Sequence, residues 1–324
     1  MSTPPGFLHA RCLSGNGAAE SLSWSAVQSW TPERGPLWLH LNFDDPEAAE
    51  WLTHHSGLND IAVNGLLAQD TRPHTLTRGQ NLLLILRGVN LNPGEEPDDM
   101  VSVRIWTDGQ RLISTQRRNL VSTGEVLAAI DTGDGPTSIQ ELLLEWIDLL
   151  TWQMNDTVSN FEDLVLTLEE QVLSGETAGK RIELLRLRKQ TIVLRRYLAP
   201  QREALNRLIV EQLNWIDDIN RLRLREVADR LIRYIEDIDQ VTDRASVAQE
   251  ELMSRLSEQM NERMYVLSIV AALFLPLGFF TGLMGINVGG MPGVDSSDAF
   301  WVVVGLCVLI LIALAAAFRW KRWF

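Results

Sequence analysis

Asp239, Asp243 and Glu250, continued by Ser254, Ser257 and Asn261, recur at spacings that put them on one side of a helix at about 100° per residue. Side chains of that kind attract cations. Carried on at the same angle, the line passes Met264, Leu267 or Ser268, Ala271, Leu275, Gly278 and Gly282, nearly all small or apolar. It then reaches Gly285-Ile286-Asn287, where an amide oxygen and neighbouring backbone carbonyls could hydrogen-bond the water shell of a divalent ion. Acidic at one end and apolar beyond, the face reads as the lining of a pore. The same pattern also fits a solvated face that turns into a lipid-facing one.

Other chemistries lack their residues. The five histidines (His9, His40, His54, His55 and His74) fall in the first quarter of the chain, without the acidic or cysteine neighbours at helical spacing that mark a tetrahedral zinc site. His54 and His55 read as surface residues at a helix end. Cys12 and Cys307 lie near opposite ends and form no framework. There is no Gly-rich phosphate loop, no Ser/His/Asp arrangement and no carboxylate pair in a recognisable pocket, so the expectation is a protein that is not an enzyme and needs no cofactor. Of the 324 residues, 29 are Lys or Arg and 42 Asp or Glu, a formal charge of −13. A nucleic-acid binder needs a basic surface to displace counterions; this balance suits a cationic ligand.

The charges are unevenly placed. No charged residue occurs in the 31 positions between Arg263 and Asp295, and Ala299–Phe318 is another uncharged run, of 20 residues. Each can hold a spanning helix of about 20 residues, with spans expected at about 265–286 and 299–318 and an outer loop at 287–298. Arg263 precedes the first span; Arg319, Lys321 and Arg322 follow the second, while the loop has Asp295 and Asp298 but no basic residue. The positive-inside rule then puts both termini in the cytoplasm. Met1 to Cys12 shows no basic region followed by an apolar stretch, so no signal peptide is expected there. Residues 1–263 carry 40 acidic and 26 basic side chains, a net −14 that would concentrate cations below a pore.

Upstream, residues 1–135 alternate between strand and helix signals. Leu37–Leu41, Asn81–Val89, Val101–Trp106 and Arg111–Thr115 read as strands, with Asp108-Gly109 as a hairpin turn. Asp45-Pro46 opens a helix through His54, Asn59–Ala68 is a second and Thr123–Ile130 a third. The expected class is α+β, a mixed sheet with helices. Residues 136–263 read as a helical stalk: one helix from Pro136-Thr137 to about Leu173, a second from Lys180 to about Leu213, and a third capped by Asp217-Asp218. The third has no breaker before Pro276 and runs on into the first span, to about Asn287. Its side bearing Val227, Leu231, Ile238, Val241, Ala245, Ala248, Leu252 and Leu256 is expected to pack on the two preceding helices. Residues 264–324 form the membrane part.

A single apolar span cannot enclose a channel, so a pore must come from repeated subunits around an axis. Gly285-Ile286-Asn287, followed by Met291-Pro292, resembles the signature loop of the CorA family of divalent-metal transporters, and the order of parts matches that family. The branched residue at the middle position resembles its zinc-transporting branch, known as ZntB. So do Gln69-Asp70-Thr71-Arg72-Pro73 and the stretch from Leu187-Arg188-Lys189-Gln190 through Arg195-Arg196-Tyr197-Leu198-Ala199-Pro200-Gln201-Arg202.

The resemblance implies a homopentameric funnel in a bacterial inner membrane, with the first span of each subunit around the pore and the second outside it. Asn287 would form the outer entrance ring and meet the metal through its water shell. Leu275, Gly278 and Gly282 would line the spanning part, and Met264 and Leu267 its inner narrowing. Magnesium-type members often carry Thr where Gly278 stands and acidic residues where Gly289 and Gly293 stand, so zinc is the expected cargo, with cobalt, nickel, cadmium or magnesium as other cations. The face has no Cys or His, so the ion is expected to pass hydrated. The branch implies uptake coupled to protons, although neither span holds an acidic relay residue. The competing readings are a magnesium, cobalt or nickel channel, and a membrane-anchored metal sensor that transports nothing.

Overall fold

Leu37, Leu39 and Leu41 point to one side of an extended segment and Trp38 and His40 to the other, and all five are almost fully buried. A strand of that kind needs cover on both faces. A computed structural model of the chain describes residues 6–286 and 296–320. Strands β1 (Phe7–Leu13), β2 (Ala19–Ser21), β3 (Leu37–Asn42), β4 (His74–Arg78), β5 (Asn81–Gly88), β6 (Val101–Thr107) and β7 (Arg111–Gln116) form one sheet in the order β2-β1-β3-β7-β6-β5-β4. The sheet is mixed: β3 and β7 run parallel and the other pairs antiparallel.

Three short helices, α1 (Trp24–Gln28), α2 (Pro46–His54) and α3 (Asp60–Leu67), cover the face that carries Leu37, Leu39 and Leu41. Their starts follow from local chemistry. Asp45 accepts from the backbone N–H groups of Glu47 and Ala48 ahead of Pro46, and Asn59 accepts from that of Ala62. On the opposite face lie α4 (Val121–Thr132) and α5 (Ile139–Trp152), where Trp146 meets Trp38 edge-on at 5.4 Å. Between β6 and β7, Gly109 has φ 88°, and a Cβ there would stand 2.5 Å from the Trp215 ring, so both backbone and space require glycine.

The mixed α+β sheet and the four expected strands are present, but β1, β2 and β4 did not show in the sequence. A register shift between Phe7 and His9 spoils the alternation of β1. The edge strand β4 buries only Thr75, and its one large apolar residue, Leu76, is exposed. The helix expected from residue 136 to 173 is two elements, α5 and α6 (Met154–Leu173), parted at Gln153 with ψ −16°. No Gly or Pro marks that break.

His40 is wholly buried against Trp38 and Trp146, and its Nδ1 shares a 2.8 Å hydrogen bond with the Ser114 hydroxyl. Burial pushes its pKa down to about 3, with Gln116 opposing and His9 adding to the effect. Between pH 6.5 and about 3 the unfolded chain therefore holds a proton that the native imidazole refuses. Stability should fall with decreasing pH through that window by about 1.4 kcal/mol per unit from this group, and the group contributes nothing above it. Urea titration of wild type and His40→Leu in detergent should show a shallower acid dependence in the variant. Equal slopes would refute the assignment.

The long helices follow: α7 (Lys180–Val210), α8 (Asp218–Met284) and α9 (Ala299–Trp320). One compact unit runs to Glu250 and a second begins at Glu251. Within the first, Val227, Leu231, Ile238, Val241, Ala245 and Ala248 of α8 are buried. Thr242 of α8 hydrogen-bonds Thr191 of α7 at 2.8 Å, and Arg244 pairs with Glu169 of α6. In the second unit, Leu252 is still buried while Leu256 is 37% exposed. As the sequence suggested, α8 passes Pro276 without interruption; its 67 residues correspond to about 100 Å. The apolar stretches of α8 and α9 are each long enough to cross a bilayer and almost wholly unburied.

Candidate functional site

Within the second unit, Ile269 is buried, whereas Met264, Leu267 and Leu275 are 57%, 63% and 77% exposed. Asn261, Ala271, Gly278 and Gly282 are exposed as well, and a Cβ added at either glycine would meet nothing within 4 Å. The expected pore-lining residues thus form a continuous face of α8 that nothing among the described residues covers. Its chemistry is plain. The Ser268 hydroxyl donates to the Met264 carbonyl and that of Thr281 to the Leu277 carbonyl, so these two aliphatic hydroxyls are bound to the helix's own backbone. Pro276 lacks an N–H, which leaves the Ala272 carbonyl without its helical donor.

Gly285 and Ile286 follow the end of α8, the Gly285 N–H donating to the Gly282 carbonyl at 3.1 Å. Asn287 lies outside the described residues, as do Gly289, Gly293 and Asp295. Asp298 stands at the start of α9, where its carbonyl accepts from the Val302 N–H.

The acidic candidates belong to the first unit and differ among themselves. Asp243 and Glu250 are exposed, while Asp239 is half-buried and paired with Arg195 of α7 at 2.5 Å. Among the described residues no group of three His, Cys, Asp or Glu side chains is placed to hold a metal ion. His54 and His55 sit exposed at the end of α2, and Cys12 is buried and free.

The two soluble stretches that carried the family resemblance meet at one side chain, Arg87 of β5. Its Nε and Nη2 donate to the Thr71 carbonyl at 3.1 and 2.9 Å and its Nη1 to the Met100 carbonyl at 3.0 Å. The guanidinium lies 4.2 Å from the centre of the Tyr197 ring, and the Arg87 backbone N–H donates to Gln201 Oε1 at 2.7 Å. Burial lowers the Arg87 pKa, opposed chiefly by Tyr197. Nearby, Arg104 is buried over Phe43 and donates to the Ala68 carbonyl at 2.8 Å. Burial holds it down to about 10, with Arg87 adding to the shift. Sequence reading missed both arginines, because their partners are backbone carbonyls and leave no residue signature.

Two membrane-length helices at the carboxyl end, one continuous with a long helix that packs on an α+β domain, define a class of membrane proteins. The family described as CorA-like Mg2+ transporter protein matches residues 33–322, and the chain belongs to that family. Among its relatives, zinc transport protein ZntB of Yersinia pseudotuberculosis is 36% identical over 315 residues, covering 97% of this chain and 94% of that one. Divalent cation transporter CmaX of Pseudomonas aeruginosa is 38% identical over 319 residues, covering 97% and 94%. The structure of full-length CmaX superposes with a TM-score of 0.86 at 36% identity, over 100% of this chain and 99% of that one. The CorA magnesium transporter of Methanocaldococcus jannaschii shares the fold, with a TM-score of 0.82 at 19% identity over 98% and 99%.

Proposed function

We propose that the protein carries divalent cations, zinc before others, across the bacterial inner membrane through a homopentameric pore lined by α8. The observation that supports this most is the uncovered face of α8 from Asn261 to Gly282, small and apolar within the membrane. Five such faces around an axis would enclose a narrow path without a fixed ligand. The relatives named for zinc and for divalent cations favour such a cargo. With no Cys or His along that face, the ion moves with its water shell, and Asn287 supplies a ring of amide oxygens at the outer mouth. Residues 1–135 and 136–263 then form a cytoplasmic domain and stalk below the membrane part, 264–324, with both termini in the cytoplasm. Asp243 and Glu250 enrich cations there.

The membrane potential favours inward movement by about 2.3 kcal/mol per charge per 100 mV, so a divalent cation enters downhill. Proton coupling is the finer part of the proposal. Sealed proteoliposomes with a trapped zinc dye test both: zinc should enter, excess magnesium should hardly slow it, and an inward proton gradient should accelerate it. Magnesium entry in place of zinc would favour the magnesium, cobalt or nickel channel. No entry of any ion would favour the anchored sensor.

A further inference from the structure

One concavity of the first unit is remote in sequence from the membrane helices and of opposite character to the chain's acidic surface. Between α1, α2, β3 and β7 lies a cavity of about 310 Å³ whose walls include Gln28, Trp30, Leu39, Trp51, His55 and Arg111. That volume is at the small end of the range for small-molecule sites. Its aromatic walls are preformed: the Trp30 Nε1–H donates to the Gly35 carbonyl at 3.0 Å, and Trp51 is held edge-on against Trp24 and Phe7. No acidic side chain lines it.

Arg111 is the cation of this cavity and its charge is poorly matched. Its Nη1 donates to the Ser56 carbonyl at 3.0 Å and its guanidinium lies 5.0 Å from the centre of the Trp106 ring. Nε is buried without a partner, and Nη2 donates to nothing among the described residues. Twelve ion pairs occur among the described residues, and Arg111 is in none of them. Burial lowers its pKa, and Asp108, whose carboxylate accepts the Arg111 backbone N–H at 2.7 Å, offsets this only in part. The Arg111 guanidinium is half-buried and has no ion-pair partner among the described residues, so it is partly desolvated, and a bound anion would offset part of that loss.

We propose that this cavity is a binding site for a small planar carboxylic acid, its carboxylate on Arg111 and its ring between Trp30 and Trp51. A single arginine in the wall of the cavity matches a monoanion better than a doubly charged phosphate. The guanidinium fork suits a carboxylate, and flat indole walls suit a ring. The proposal stands apart from transport: it concerns neither α8 nor α9.

Isothermal titration of benzoate into the full chain in lipid nanodiscs, with empty nanodiscs subtracted, tests it. A single saturable site is expected, with the neutral isostere benzamide at least about tenfold weaker, as for loss of a charge-assisted hydrogen bond. Arg111→Gln should lose binding to a similar degree. Because Arg111 also holds the Ser56 carbonyl, Gln28→Glu gives an independent arm. It puts a carboxylate into the cavity from an exposed position of α1, and should lower benzoate affinity at least about tenfold without lowering the melting temperature. Equal affinity for benzamide, unchanged affinity in Gln28→Glu, displacement by equimolar chloride, preference for phenyl phosphate, or no benzoate binding would each overturn the proposal.

Discussion

Vesicles carrying the Asn287→Ala or the Gly278→Leu chain are expected to admit zinc no faster than empty vesicles. The two substitutions reach that result differently. Asn287→Ala removes the proposed outer ring of amide oxygens, so a hydrated ion meets only backbone carbonyls in exchange for bulk water. Gly278→Leu acts by volume. In the protomer a side chain at Gly278 meets nothing within 4 Å, and leucine is favoured over glycine inside a helix by about 1 kcal/mol. The single chain therefore tolerates the change, and a block arises only where several copies of this face surround a common path. Gly305→Leu on α9 is the control, because its site is equally open and outside the proposed lining; its flux should match wild type. If Gly278→Leu conducts like wild type, α8 does not line the path. If Asn287→Ala is silent, the outer mouth does not capture the ion.

The parts of this molecule that could be read from its sequence are those set by periodicity and by turn chemistry. Val227 to Leu252 repeat at helical spacing and are buried as that spacing requires. Asp45-Pro46 and Asp108-Gly109 fix a helix start and a hairpin because their side-chain and backbone chemistry acts within a few residues. The second uncharged run falls within α9 and the first begins within the last part of α8, since hydrophobic length is a property of composition alone. Edge strand β4 was hidden because its residues face solvent and α7 rather than a single core, with Thr75 donating to the Ala204 carbonyl at 2.6 Å. Asp239 was grouped with Asp243 and Glu250 by angle on α8, but its pairing with Arg195 depends on how α7 lies beside α8, which periodicity does not encode. The cavity at Arg111 draws on four elements brought together by sheet order, and no local spacing announces it.

Arg87→Met should destabilise the first unit by about 1–3 kcal/mol, the range for leaving a buried acceptor without its charged donor. The side chain is only 11% exposed, so its hydrogen bonds to Thr71 and Met100 are not interchangeable with water. Methionine fills much of the volume but leaves the Thr71 carbonyl without its donor, the Met100 carbonyl with only the 3.4 Å contact from Arg118, and the Tyr197 ring without its nearer cation. Arg87→Lys should recover only part of the loss, because an ammonium keeps the charge without the planar fork that reaches both carbonyls. The Asp70 carboxylate lies 3.8 Å from Nη2 but is 99% exposed, so Asp70→Asn should change stability by less than about 1 kcal/mol. Urea titrations of the four chains in detergent separate these contributions. A wild-type midpoint in Arg87→Met would show that the 69–73 segment is held by packing alone. A loss in Asp70→Asn as large as in Arg87→Met would show that the ion pair, and not the carbonyl clamp, joins this segment to α7. The expected ordering, with Met weakest, Lys intermediate and Asn near wild type, would explain why two stretches more than a hundred residues apart act as one structural unit: each is tied through Arg87 to the other.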